Sequence, residues 1–207
     1  RLLRKNYLKS YTIILTIGGI KLFISTMAAS KRNIEKVSRI VVLGDITNEN
    51  ICDAIEAIYE VNNEDRNKEA DKREPIKLIL NSPGGDVYDG IGIIDVIDQS
   101  TTPIHIYIHG QAQSMGFAIA TAGHYRYASK RTTFMYHELS WEINREKLQA
   151  HEQEVKEGKR LWQIYDDIIT TNTKILQKTL DQIKKQRKEW YMTAHEALEL
   201  GVIDEII

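Results

Sequence analysis

The chain has 207 residues, of which 42% are hydrophobic and 28% are charged, a length and composition typical of one globular domain with a substantial core. The formal net charge is −1, which excludes a basic field for nucleic acid, so we expect no nucleic-acid partner. The single cysteine, Cys52, excludes an internal disulfide framework and is typical of a reducing, cytoplasmic protein. We expect its thiol to be buried in a helix.

The N-terminal segment differs from the rest of the chain. It is basic at its start and carries an apolar run over residues 11–24 that two glycines and a lysine interrupt. The run is too short and too broken to predict a membrane span. Its basic start and the small residues of STMAAS also fit a signal peptide, whereas an upstream extension with Met27 as the working start is the simpler interpretation. We therefore treat residues 1–33 as an N-terminal extension and residues 34–207 as one domain.

From residue 38 onwards the hydrophobic pattern alternates between strands and helices. Buried strands are predicted over 38–47, 76–81 and 104–110, each followed by a helical pattern, and a short fourth strand around 134–136. Repeats of strand and helix in units of about 40 residues predict parallel strands joined by right-handed crossovers. The charged run over 62–74 is interpreted as a solvated loop or a frayed helix end.

Beyond Trp141 the pattern changes to a long, highly charged helical region that reaches about residue 188. A helix of this kind between two α/β segments is interpreted as an extension used for assembly rather than as a core helix. The chain then closes with a helix that Thr193 begins as its N-cap and Gly201 ends, followed by the strand VIDEII.

Three polar motifs follow predicted strand ends, where functional groups collect in open parallel sheets. They are NSPGGD, GQAQSMG and MYHELS. Each has a plain alternative: a common turn, an N-cap serine, and a hydrogen-bonded structural histidine. Together they fit acyl transfer, with Ser114 as the hydroxyl, His137 as the base, and the N–H groups of Met115 and Gly85 as donors to the oxyanion. Ala112 departs from the G-x-S-x-G motif, which disfavours a common esterase.

Five blocks of the sequence, in order and in spacing, resemble the proteolytic subunit of Clp protease, the ClpP family. They are SRIVVLGDIT, LNSPGGDVYDGIGIIDVI, GQAQSMGFAIATAG, MYHELS and MTAHEALELGVIDEI, within residues 38–207. The resemblance implies an α/β, ClpP/crotonase-like fold of repeated βαβ units with a protruding helical handle at about residues 141–185. It also implies a serine endopeptidase without a cofactor or a metal, assembled in stacked rings and fed with protein or peptide substrates by a Clp-type AAA+ unfoldase. The sequence has no Walker motif, which agrees with an ATP site on the partner alone.

Carried over residue by residue, the resemblance makes Ser114 the nucleophile, His137 the general base, and Gly85 and Met115 the oxyanion hole. It also implies that an extended substrate pairs with the segment after SPGG. Glu138 is a poor orienter of His137, because neighbours in a strand point to opposite faces.

The third catalytic residue departs from the family pattern. The family has an aspartate before the last block, where this chain offers Lys185 or Gln186, depending on the placement of a one-residue gap. No aspartate lies between Asp181 and Asp204. Glu189 is the acid close to the block and is our candidate for the third member, while Gln186 is a neutral alternative that could hydrogen-bond the imidazole.

These departures, with an N-terminus unlike the family's axial loops, resemble divergent phage- or plasmid-type members. Three rival functions stay open at this point. The chain could be a weak or inactive ring subunit, a phage peptidase that matures capsid proteins without an unfoldase, or another crotonase-fold enzyme acting on acyl-CoA. The acyl-CoA alternative is disfavoured because the sequence has no recognisable CoA-binding segment.

Overall fold

The computed structural model describes residues 10–17, 20–27, 37–139 and 148–207, with side chains for 37–139 and 152–207. The described residues belong to two compact units, which divide between residues 36 and 37. In the first unit, β1 (Ser10–Ile17) and β2 (Ile20–Met27) form an antiparallel hairpin. The described residues of the apolar run over 11–24 therefore lie in strands. Within the described ranges, no helix combines the length and the apolar character needed to cross a bilayer.

The second unit begins with three consecutive βαβ units. Its elements are β3 (Ile40–Leu43), α1 (Asn48–Asp65), β4 (Ile76–Ser82), α2 (Val87–Gln99), β5 (Ile104–Gln113), α3 (Met115–Thr121) and β6 (Tyr125–Ala128). The strands pair in parallel in the order β3-β4-β5-β6, and β9 (Glu205–Ile206) extends the sheet beside β6. The predicted α/β fold of repeated βαβ units is confirmed.

The central strands bury alternate residues on the face that the helices cover. Ile76, Leu78 and Leu80 of β4 are completely buried, as are Ile104, Ile106 and Ile108 of β5. The opposite face is less covered: Val42 is 74% exposed and Tyr125 is 37% exposed. On this face the rings of Tyr107 and Tyr127 stack, with centroids 4.6 Å apart.

Strand β5 is longer than predicted and has two partners besides β4. Its first part pairs with β6, and its last residues, Gln111 to Gln113, pair in parallel with β7 (Thr133–Tyr136). β7 in turn pairs antiparallel with β8 (Trp190–Thr193). The sequence predicted β7 but neither β6 nor β8. The sheet therefore carries the end of β5 beside the end of β7 and the start of β8.

The closing segment has the predicted form. α6 (Ala194–Glu199) begins at Thr193, whose side chain accepts from the N–H of Glu196 while the Glu196 carboxylate accepts from the N–H of Thr193. This reciprocal capping box leaves fewer unsatisfied donors at the helix start. The chain turns at Gly201, with φ +70°, into β9.

The long charged region forms α4 (Leu148–Asn172) and α5 (Gln177–Gln186). Residues 152–160 are mostly exposed, whereas Leu161, Tyr165 and Ile169 are completely buried. The interpretation of α4 as an extension is therefore wrong for its second half. Apolar side chains at a spacing of four residues make this half a core helix.

Two expectations about α1 are also wrong. Cys52 is exposed, because it follows Ile51 by one residue and so points about 100° away from the buried face of the helix. The charged run after residue 62 is not entirely solvated, since α1 continues to Asp65, which is completely buried. The Asp65 carboxylate accepts two hydrogen bonds from the Arg39 guanidinium, at 2.6 and 2.8 Å.

Candidate active site

The three motifs that follow strand ends lie together because their strands are neighbours. Ser82 at the end of β4 pairs with Ala112 of β5, and Gln113 pairs with Met135 of β7. The turn Pro83–Gly85, the turn at Ser114 and the start of the segment after Tyr136 consequently meet at one edge of the sheet. Carboxyl ends of parallel strands form such crevices in α/β proteins generally.

Ser114 occupies a strained turn between β5 and α3. Its backbone dihedrals are φ 52° and ψ −128°, and its N–H donates to the carbonyl of Met135 at 2.9 Å. A serine at positive φ costs on the order of 1–3 kcal/mol and persists where the surroundings enforce it. Although the sequence lacks G-x-S-x-G, the backbone has the strand–turn–helix conformation associated with that motif.

The hydroxyl of Ser114 does not cap the helix. It stands at the N-cap position of α3 but accepts no hydrogen bond from the first turn. Within the described part of the chain, Ser114 Oγ has no hydrogen-bond partner. The plain alternative, an N-cap serine, is therefore not realised, and the hydroxyl is available for chemistry.

The two glycines of SPGG have separate structural reasons. A Cβ on Gly84 would lie 2.6 Å from the Cβ and 3.2 Å from the Oγ of Ser114, so the absence of a side chain at Gly84 leaves room for the serine. A Cβ on Gly85 would lie 2.2 Å from the carbonyl oxygen of Ile46. Gly85 was expected to lack a Cβ so that a substrate can approach. The structure shows instead that a Cβ there would collide with the backbone of Ile46.

The N–H of Gly85 takes no part in the backbone hydrogen bonds that its two neighbours form with Ile46. Ile46 donates to the Gly84 carbonyl at 3.0 Å, and Asp86 donates to the Ile46 carbonyl at 2.9 Å. Neither bond uses the Gly85 N–H, which has no hydrogen-bond acceptor among the described residues. Met115, the first residue of α3, likewise has no carbonyl four residues back in its helix to accept from its N–H.

After Gly85 the chain becomes helical at once. Asp86 caps α2 by accepting from the N–H groups of Tyr88 and Asp89, at 2.8 and 3.1 Å. The expected strand edge for an extended substrate is therefore wrong for residues 86–99.

His137 follows the last paired residue of β7, and its cross-strand neighbour is Glu189. The register pairs Met135 with Tyr191 and Tyr136 with Trp190, so one further step sets His137 opposite Glu189. Residues directly opposite in an antiparallel pair share a face of the sheet. Glu189 is exposed, and its carboxylate accepts from the Tyr191 hydroxyl at 2.8 Å.

Burial and charge act in opposite directions on His137. Partial burial lowers the pKa of the imidazole below its ordinary value, while the carboxylates of Glu189 and then Glu138 act to raise it. A neutral imidazole at neutral pH is the form that a general base requires. No hydrogen bond joins His137 to another described residue.

Lys185 and Gln186 do not occupy the position opposite His137. Both are exposed in the last turn of α5, which ends at Arg187 in a left-handed conformation with φ 51°. The chain changes direction there, so that Glu189, rather than Gln186, lies directly before the start of β8. The catalytic role of Glu189 stays a prediction.

Two groups that hydrogen-bond to the backbone of Ser114 could not be predicted from the sequence alone. One is the carbonyl of Met135, which fixes the Ser114 turn. The other is Tyr165 of α4, whose hydroxyl donates to the Ser114 carbonyl at 3.1 Å. The sequence pointed to Gly85 in this turn, but the glycine that lies against Ser114 is Gly84.

The site and its order along the chain match a known family. A family model described as Clp protease matches residues 26–207. The chain belongs to the Clp protease family. The match begins before the blocks that carry the resemblance and includes every residue of the site. The protein is therefore a ClpP-like member of a family of serine peptidases, whose members generally form rings and work with Clp ATPases.

Proposed function

We propose that this protein is a serine endopeptidase that cleaves unfolded proteins or peptides through an acyl-enzyme. Ser114 is the nucleophile, His137 is the general base, and Glu189 orients the imidazole. The observation that carries the proposal is the Ser114 turn. It is strained, its hydroxyl is uncommitted among the described residues, and it lies beside the strand end that precedes His137.

The chemistry follows from these positions. Ser114 Oγ attacks the peptide carbonyl as His137 takes its proton, and the N–H groups of Gly85 and Met115 stabilise the oxyanion. His137 then gives the proton to the leaving amine as the C–N bond breaks. A water, deprotonated by His137, attacks the acyl-enzyme and releases the carboxylic acid, which restores Ser114.

The proposal extends to rings that enclose the active sites and to substrate delivery by a Clp-type AAA+ ATPase. The general behaviour of the family supports both. The less covered face of the sheet, with the rings of Tyr107, Tyr125 and Tyr127 side by side, is a surface of the kind that binds proteins. We assign this aromatic face to the ATPase.

A substitution on the aromatic face separates delivery from chemistry. Tyr107→Asp should abolish degradation of a folded substrate with a purified Clp-type ATPase and ATP, but leave hydrolysis of a short fluorogenic peptide unchanged. Equal loss of both activities, or of neither, would remove the face from ATPase docking.

A weakly active ring subunit is the second candidate. The exposed Glu189 carboxylate already accepts from Tyr191, and the position of the family's aspartate is held here by Lys185 or Gln186, which favours a loosely held His137. Hydrolysis of a short fluorogenic peptide by the purified assembly decides between the two. The endopeptidase predicts ready turnover that Ser114→Ala abolishes, whereas a weak or inactive ring subunit predicts a native particle whose rate is little or no higher than that of Ser114→Ala.

A further inference from the structure

The carbonyl of Ser114 and the N–H of Met115 belong to one peptide group. A trans peptide is planar, with its C=O and N–H pointing in opposite directions. Whatever fixes the Ser114 carbonyl therefore also aims the Met115 N–H, which the proposed function assigns to the oxyanion hole. An oxyanion donor acts through its orientation before the charge develops.

Tyr165 holds that carbonyl from the side of the core. It is completely buried on α4, and its hydroxyl donates to the Ser114 carbonyl at 3.1 Å. The N–H groups of Phe117 and Ala118, in the first turn of α3, reach the same oxygen at 2.9 and 3.4 Å. The tyrosine thus adds a donor from a different element to the bonds that the helix makes by itself.

The ring of Tyr165 is itself held in place. It stacks on the ring of Tyr136, with centroids 5.5 Å apart and planes 11° from parallel. The Tyr136 hydroxyl donates to the buried carboxylate of Asp166 at 2.7 Å. Asp166 also accepts from Gln177 at 2.7 Å and from Lys184 at 2.5 Å. These bonds join α4 and α5 to the residue that precedes His137.

We propose that Tyr165 is a positioning residue, whose hydroxyl aims the Met115 N–H at the oxyanion by holding the Ser114 carbonyl. The inference rests on the proposed function. It adds a residue from α4, 51 positions along the chain from Ser114, that touches neither substrate nor the reacting atoms. A role confined to stability would instead leave transition-state binding unchanged.

Tyr165→Phe removes the hydroxyl and keeps the ring. Folding should survive, because the Ser114 carbonyl retains its bonds from α3. We expect kcat to fall about five- to tenfold while KM stays within about twofold, since one neutral hydrogen bond is lost and it acts on the transition state. Tyr88→Phe is the matched control. It removes a tyrosine hydroxyl bond to Glu157 of α4, at 2.8 Å, away from the Ser114 peptide, and should change neither constant.

The decisive readout compares a peptide aldehyde with the corresponding peptide alcohol. Only the aldehyde forms a tetrahedral adduct whose oxygen occupies the oxyanion hole, so Tyr165→Phe should weaken its inhibition about five- to tenfold and leave that of the alcohol unchanged. Equal effects on both inhibitors, or on neither, would overturn the proposal.

A second variant keeps the hydroxyl. With 3-fluorotyrosine at position 165, the preference for the aldehyde should equal that of the wild type. A loss as large as that of Tyr165→Phe would assign the effect to packing and overturn the proposal, as would failure of Tyr165→Phe to fold. If wild-type protein neither turns over substrate nor binds the aldehyde more tightly than the alcohol, the proposed function itself fails. Turnover by wild type with no change in Tyr165→Phe refutes only the positioning role.

Discussion

The N–H of Ser114 donates to the carbonyl of Met135 at 2.9 Å. This bond continues the pairing of β5 with β7 by one step, to the residue where β5 turns into α3. It ties the serine to Met135 of the neighbouring strand, which lies two residues before His137. The placement of Ser114 beside the strand that leads to His137 is therefore a property of strand register.

The strain at Ser114 predicts that a side chain at this position, which catalysis needs, lowers the stability of the fold. Ser114→Gly and Ser114→Ala both remove the hydroxyl and should both be inactive. At φ 52° and ψ −128° glycine is unstrained and alanine is not, so the glycine variant should be the more stable by about 1 kcal/mol. Denaturant unfolding of the two variants side by side measures the difference. Equal stabilities would show that the turn is not strained.

Gly84 is predicted to control access to the serine. Gly84→Ala introduces a Cβ at 2.6 Å from the Ser114 Cβ, at a residue with φ +107°, and should reduce peptide hydrolysis by about a hundredfold or more, since a small misplacement of a reacting group has such effects. Gly92→Ala on α2 is the control, because beyond the local backbone of its own helix no described atom lies within 4 Å of its new Cβ. It should keep activity and gain up to about 1 kcal/mol of stability from helix propensity. A fully active Gly84→Ala would contradict the geometry of the site.

The pKa of His137 should appear in the pH profile of kcat/KM. The base is active when neutral, so activity falls as the pH drops through its pKa, which burial lowers from the ordinary value of 6.5. Glu189→Gln removes a carboxylate that raises this pKa and should shift the acidic limb further toward low pH. By analogy with triad losses, it should also reduce the plateau rate by more than about tenfold.

The matched variants rank the two carboxylates near His137. Glu138→Gln should shift the acidic limb less than Glu189→Gln, because its charge has the smaller effect on His137. Glu60→Gln, exposed on α1, should shift nothing. A shift toward high pH in Glu189→Gln would contradict the assignment, and an unchanged plateau rate would remove Glu189 from the site.

The Arg39–Asp65 pair should stabilise the fold except in acid. Hydrogen bonds from Arg39 lower the pKa of Asp65 from its ordinary 3.8, despite the burial that opposes them. Asp65→Asn removes the buried charge that pairs with Arg39, which keeps its bond to the Glu74 carbonyl, and should cost about 3 kcal/mol of unfolding free energy at pH 7. A carboxyl with a lowered pKa stabilises the folded state above its unfolded pKa and loses that effect as the pH falls. The difference between wild type and variant should therefore shrink below about pH 4.

Asp53→Asn, on the exposed face of the same helix, is the control and should stay within about 0.5 kcal/mol of wild type. Urea unfolding over a series of pH values provides the comparison. A difference between wild type and Asp65→Asn that grows in acid would contradict the account.

The parts of the fold with strong local patterns could be predicted from the sequence. The βαβ units follow from long β-branched runs and from helices with a regular apolar stripe, and the cap at Thr193 has a local motif. β6 and β8 were missed because each has four residues and only one of them is buried. Such strands depend on their neighbours for pairing and leave no periodicity to detect.

Within the site, Ser114 and His137 could be proposed because each follows a predicted strand. The placement of Glu189 could not, since it depends on where α5 ends and on the register of β8 against β7. The reversal at Arg187 and the pairing of Tyr136 with Trp190 determine both. Tyr165 was beyond prediction for a related reason. It bonds to a backbone carbonyl distant in sequence, and a carbonyl has no residue type to recognise.

Covalent labelling with a fluorophosphonate probe tests the central claim, that Ser114 is an activated nucleophile beside His137. The native assembly is incubated with the probe, and peptide mapping by mass spectrometry locates the adduct. The account predicts one adduct, on Ser114, absent in Ser114→Ala and formed much more slowly in His137→Ala. Wild-type protein that remains unlabelled as an intact assembly, or that is labelled at another serine, would contradict it.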